Sequence, residues 1–442
     1  MDFTICVSNN SHAGPQNTRD DATDDDDTTK PANAVRLVTV LSVNIASPQS
    51  VLEKLYFNKI HFNDELLATL CEPLSSDQCQ LVELKFDCCR FRTLGPLWSA
   101  LAVNKSISNL NFFFPEVEGE ALGDDYGTQQ LQSMLKTNIT ITELSFLGGY
   151  PPFPHSFFDA LGVGLASNRT LKTLVLWDHR ASEQGYITAL FDGGLDRNVG
   201  LETFRLMVKE LSDTQDLMSG LDRMAKNIST KRRADGSREV STLKNLVVEF
   251  IDDLSFDEFV GDLKLVDCVK LVLDCLVRNK ACFALKDLNL ICLDDDEDYI
   301  HDSDLFDKLA AFIQAHPTVA ALTMRGNSES TDDSKLAVLA KPLENNTTMT
   351  DFYVAGLHAS SNWEDYNAWD PLDNPNHTHI LCSVVRNRRE LSMFLESSKR
   401  SLLPLALAAL VKPYESGLEQ IVNLTHAFHL VQNLPELFSI DD

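Results

Sequence analysis

One phrase returns along the chain: an apolar helix tail, an asparagine, a serine or threonine, then an apolar triplet of the form L-x-x-L-x-L. It stands as LAVNKSISNLNF at 101–112, as LKTNITITELSF at 135–146 and as LASNRTLKTLVL at 165–176. With Ile, Val, Met or Phe allowed at the apolar positions, the triplet occurs ten times. Its first members are Leu52, Leu81, Ile107, Ile141, Leu171, Leu201, Leu243, Leu285, Val319 and Met349, spaced 26 to 42 residues apart. Within a triplet the last two members alternate as strand residues do. Between triplets, apolar residues recur at three and four, the period of an amphipathic helix. Asn104, Asn138, Asn168 and Asn279 close helices, with His316-Pro317 doing so once. An asparagine there is expected to take the left-handed conformation of a helix stop.

A strand and a helix every 26–42 residues resembles the leucine-rich repeat, and the lengths resemble the ribonuclease-inhibitor-like class. The resemblance covers about 51–357. Cys89, three residues after Phe86, and Asn327, three after Met324, stand where that family places its Asn/Cys ladder; Gly149, His179 and Lys209 replace it elsewhere. The resemblance implies an α/β solenoid, a horseshoe with a parallel concave sheet and convex helices, flattened where repeat lengths vary.

Four regions are expected: a disordered acidic arm at 1–33 carrying DDATDDDD, the solenoid at 34–357, a linker at 358–376, and helices at 377–442. The last group reads as a C-terminal cap, because a solenoid must cover its final apolar face. This tail is similar to those of leucine-rich proteins of microalgae, a likeness that implies no activity. Three insertions stand out: STKRRADGSREVS at 229–241, the stretch 250–267, and LDDDEDYIHDSD at 293–304.

A net charge of −27 argues against nucleic acid and anionic membrane as ligands, since both need a basic face. It favours a protein or peptide partner of basic character. Ten cysteines without a CxxC pair remove zinc-ribbon and thioredoxin readings, and their apolar settings suggest buried thiols in a reducing compartment. No basic stretch precedes an apolar run at the N-terminus, and LLPLALAALV at 402–411 is about half a membrane span. The expected location is intracellular, the cytoplasm first, with nuclear import through KRRADGSR as the alternative.

Residues alternating with the triplets face the concave side. Phe113, Leu147, Trp177 and Met207 follow one another there at one offset, an apolar row suited to a protein contact. The competing reading is a long loop folded over that row. Glu83, Asp87, Glu143 and Glu249 are expected to select basic groups, with Arg205, Arg325 and Tyr353 on the same face.

No catalytic motif is present: no G-x-S-x-G, Walker loop, H-E-x-x-H or dinucleotide fingerprint. LDDDEDY lacks the glycine and closing glutamate of an EF-hand and reads as a solvated loop. His377, His379 and Cys382 with Asp373 lack a fourth ligand at a familiar interval, so neither metal nor cofactor is expected. The GVG at 162–164 reads as helix packing, and the sequons at Asn104, Asn138 and Asn168 as the repeat's turn. The expected function is a non-enzymatic scaffold binding a protein or peptide on the concave sheet. The alternatives are a regulator of an enzyme, such as a GTPase-activating protein, or a substrate adaptor docking through 377–440.

Overall fold

The structure is a computed structural model. It describes residues 3–8, 30–45, 47, 49–118, 126–149, 152–177, 185–208, 211–230, 241–250, 265–292, 302–325, 333–354 and 357–359. The chain forms two compact units: Met1–Met207 with Ser219–Thr230, and Val208–Met218 with Lys231–Asp442.

In the first unit every triplet supplies one strand of a parallel sheet. The strands are β2 (Leu52–Asn58), β4 (Glu83–Asp87), β6 (Asn109–Phe113), β8 (Glu143–Leu147), β9 (Thr173–Trp177) and β10 (Thr203–Val208). They lie side by side in chain order. Helices α2 (Asp64–Leu74), α3 (Gly95–Val103), α4 (Thr128–Thr137), α5 (His155–Leu165) and α6 (Tyr186–Gly193) return the chain, each packed on the next. A second, three-stranded sheet joins β3 (His61–Phe62), β5 (Arg90–Phe91) and β7 (Glu116–Val117).

The arm expected to be disordered is partly ordered. Phe3–Ser8 forms strand β1, parallel to β2, and Lys30–Ile45 forms helix α1, packed against α2. The segment FTICVS is rich in β-branched and aromatic residues and carries no charge, so it completes a sheet edge. The remainder of the arm lies outside the described residues.

The second unit repeats the scheme with β11 (Asn245–Phe250), β12 (Asp287–Cys292), β13 (Ala321–Arg325) and β14 (Asp351–Val354) in parallel. Its helices are α8 (Leu265–Arg278), α9 (Ser303–Ala315) and α10 (Asp333–Asn345); α7 (Leu211–Ser229) divides between the units. Strand β15 (Leu357–Ala359) turns back antiparallel on β14 and ends the parallel series. Asp302 caps α9, its carboxylate accepting from the backbone of Asp304 and Leu305 while also meeting Lys270 at 2.8 Å.

The core is the triplets. Every described triplet side chain is buried. Phe57, Phe86, Phe112 and Phe146 stack in file, ring centres 5.2–5.5 Å apart. Phe62 and Phe91, from the small sheet, meet this file edge-on. Alignment of like rings on successive strands follows from the fixed register.

The asparagines work differently from expectation. Asn104 and Asn138 sit in extended backbone (φ −64°, ψ 141°; φ −69°, ψ 131°), not in the left-handed region. Their side chains make the turn. Asn138 donates from Nδ2 to the Leu101 carbonyl at 2.7 Å, and its Oδ1 accepts from the backbone of Thr140 and Ile141 at 2.9 and 2.8 Å. Asn104, Asn168 and Asn198 do the same, each reaching a carbonyl near the end of the preceding helix. Those helix-end carbonyls would otherwise lack a partner. Thus the sequon asparagines are buried ladder residues, with amide nitrogens already engaged. Asn279 departs from the pattern and donates to Cys275 of its own helix. His316 takes the ladder position in a later repeat, its Nε2 3.0 Å from the Leu276 carbonyl. Cys89 fills the other ladder, with its Sγ donating to the Phe57 carbonyl at 3.4 Å; Asn327, His179 and Lys209 lie outside the described residues.

Left-handed residues occur at the strand ends instead: Lys59 (φ 58°), Cys88 (φ 50°), Phe114 (φ 47°) and Gly148 (φ 70°). The backbone N–H of each donates to the end of the next strand: Lys59 to Asp87, Cys88 to Phe113, Phe114 to Leu147 and Gly148 to Trp177. Gly148 must be glycine, since a Cβ would overlap the Phe114 ring. The GVG motif is a packing site: a methyl on Gly162 would overlap the Leu190 carbonyl of α6, and one on Gly164 would press on Leu135 of α4.

Candidate functional site

The face of the first unit's sheet that is free of helices among the described residues carries three rows of side chains, set by strand register. Nearest the strand starts run Lys54, Glu83, Asn109, Glu143, Thr173 and Thr203. The middle row is Tyr56, Lys85, Asn111, Ser145, Val175 and Arg205. The third is Asn58, Asp87, Phe113, Leu147 and Trp177. All are half-buried except Ser145, which is 4% exposed.

The middle row runs along the centre of a strip of the sheet, bordered on one side by Phe113, Leu147 and Trp177 as its apolar wall. A cation stands at each end. The Lys85 ammonium lies 4.0 Å from the centre of the Phe113 ring and 4.8 Å from that of Tyr56. The Arg205 guanidinium lies 5.5 Å from the centre of the Trp177 ring. Both are cation–π contacts that orient the charge beside the apolar wall. Tyr56 donates its hydroxyl to Asp87, and burial together with that carboxylate pushes the phenol pKa up, so the hydroxyl stays a donor. Lys54 pairs with Glu83 at 3.5 Å.

The residues expected to form the site therefore divide. Phe113, Leu147 and Trp177 lie in one row, with Glu83, Asp87, Glu143 and Arg205 on the same face. Met207 does not join the row: it is 1% exposed, in a strand end where Leu206, Met207 and Val208 are all buried. Glu249 is likewise buried, at 3% exposure, at the end of β11 between buried Val248 and Phe250. At both ends the two faces of the strand are covered, so alternation no longer reports exposure. Glu83 pairs with Lys54, and Asp87 accepts the Tyr56 hydroxyl. Glu249, Arg325 and Tyr353 belong to the second unit. Tyr353 is half-buried there, and the Arg325 side chain lies outside the described ones.

Lys85 and Tyr56 are legible as exposed strand positions, but their part in the site is not, because it depends on which ring the ammonium meets. Ser145 gives no signal in the sequence at all. On the second unit's helix-free face, burial and the Asp351 carboxylate raise the Asp287 pKa; Ala321 separates the two in register.

Burial pushes the thiols of Cys71 and Cys89 up to about 12, which makes both unreactive. Among the described residues no three His, Cys, Asp or Glu side chains gather as a metal site, and no helix is long and apolar enough to cross a membrane. KRRADGSR, LDDDEDY, the set His377, His379, Cys382 and Asp373, and the expected cap at 377–442 lie outside the described residues.

Buried triplets on parallel strands, a returning helix per repeat and an asparagine ladder define a leucine-rich repeat solenoid. No protein-family model matches the chain, and no curated protein matches it in sequence. Among solved structures it is similar to the leucine-rich repeat-containing protein LegL7 from Legionella pneumophila. The identity is 12%, over 74% of this chain and 97% of that one, with a TM-score of 0.34. So distant a likeness says nothing of a ligand, and the assignment of the fold rests on the repeats themselves.

Proposed function

We propose that this chain is a non-enzymatic scaffold that binds a protein or peptide on the helix-free face of its first unit. The registered wall of Phe113, Leu147 and Trp177 carries the reading. Three large apolar side chains stay half-buried on a face without helices among the described residues, while like residues on the other face are fully buried. Aromatic anchors of this kind supply most of the energy in protein interfaces. The repeat lengths and full helices support the ribonuclease-inhibitor-like class. Buried thiols at Cys71, Cys79, Cys89 and Cys268 support an intracellular, reducing location. Regulation of an enzyme through an acidic face is less well supported, since Glu83 and Asp87 are already engaged within the chain.

The test is affinity capture from native cell extract, comparing the intact chain with a Phe113→Ser, Trp177→Ser variant shown by circular dichroism to remain folded. The reading predicts a partner lost with the variant. Equal capture by both chains would refute it.

A further inference from the structure

The strip has a length, a width and a charge pattern, and together they describe its occupant. We infer that it takes an amphipathic helix of a protein partner, with an acidic side chain at each end of the buried stretch and a basic one near its middle. This rests on the reading that the face binds protein.

Lys85 and Arg205 occupy the same register row four strands apart. At ~4.8 Å per strand the separation is about 19 Å. A helix covers that distance in roughly 13 residues at 1.5 Å each. The apolar wall and the opposite row of Asn109, Glu143 and Thr173 are four residues apart along each strand, which is about 13 Å. A helix with its side chains is about 10–12 Å across, so one resting on this face touches both rows. An extended peptide is disfavoured: laid across these strands it meets only side chains, because the backbone of β4 to β9 is already paired on both sides.

The charges set where the ligand's own charges lie. A carboxylate at one helix end meets the Lys85 ammonium. A second meets the Arg205 guanidinium, whose five N–H donors serve more than one acceptor. Between them the apolar stripe of the helix packs on Phe113, Leu147 and Trp177. On the opposite side Glu143 meets a lysine or arginine near mid-helix. A chain of net charge −27 thus presents a cation at each end of its apolar surface, with Glu83 and Asp87 on the same strand as Lys85.

The probe is a fluorescein-labelled, end-capped peptide of about 17 residues. It carries glutamates 13 apart, a leucine stripe between them and one central lysine. A second peptide has lysine in place of both glutamates. Fluorescence anisotropy with the full chain is expected to show the glutamate peptide binding about ten-fold tighter or more. The Lys85→Glu, Arg205→Glu variant should reverse that order. Lys85→Glu alone, which leaves the Trp177–Arg205 contact in place, should reduce the preference without reversing it. No binding of either peptide, equal binding, or an order that survives both reversals overturns the inference. If the peptides fail while Phe113→Ser, Trp177→Ser still abolishes capture from extract, the face binds protein of another shape. If capture is also unaffected, the reading of the face itself falls.

Discussion

Asn138 shows how much of this fold rests on single polar side chains. One buried amide satisfies a helix-end carbonyl and two backbone N–H groups of the next turn. Replacing it by alanine leaves these groups without partners, at about 1–3 kcal/mol for each that stays buried. Asn138→Ala should therefore lower stability by roughly 2–4 kcal/mol in urea titration; a loss below ~1 kcal/mol would show that water replaces the amide. His316 holds the equivalent place with a titratable ring. Burial lowers its pKa, against a raising effect from the Leu276 carbonyl. The unfolded chain then binds the proton more readily than the folded one, so stability is complete above the ordinary value of 6.5 and falls as the pH drops below it. His316→Asn should weaken that part of the acid dependence, measured as Tm against pH. The asparagines were visible in the sequence as helix ends. Their mechanism was not, because a left-handed stop and a side-chain ladder use the same residue at the same place.

At the scale of elements, the Phe57–Phe86–Phe112–Phe146 file ties four strands together. Phe112 stands inside it, with stacked neighbours on both sides and Trp98 across its edge. Phe112→Ala should cost about 3–5 kcal/mol, as truncation of a buried aromatic does. Between helices the constraint is space. Gly162→Val should destabilise the contact of α5 with α6, whereas a valine at Gly185, where a Cβ meets nothing within 4 Å, meets only its own backbone strain (φ 91°). Thermal unfolding of the two variants should separate packing from strain, and equal losses would contradict the close approach. Period and spacing made the strands and helices legible, since every described triplet member is buried. Alternation failed at the ends of β10 and β11, where Met207 and Glu249 are covered on a face that the rest of the strand leaves open. Strand β1 was missed because it pairs with a segment more than forty residues away and has no repeat of its own.

For the whole molecule, charge is the property the sequence states most plainly and the site follows least. The excess of acidic groups repels itself in the compact state. Added salt screens that repulsion at distances of ~10 Å and beyond, so Tm should rise with ionic strength below the range where salts act on water; a falling Tm would show that ion pairs such as Lys270 with Asp267 and Asp302 outweigh the repulsion. Net charge nonetheless misdescribes the proposed binding face, where Lys85 and Arg205 stand beside the apolar wall. Composition averages over the chain, while recognition depends on the few groups that register brings together. The most direct test of that claim is amide hydrogen exchange of the full chain with and without its captured partner. Binding along this strip of the sheet predicts slowed exchange concentrated in 109–113, 143–147 and 173–177. Protection confined to the helices, or to residues 241–359, would contradict it.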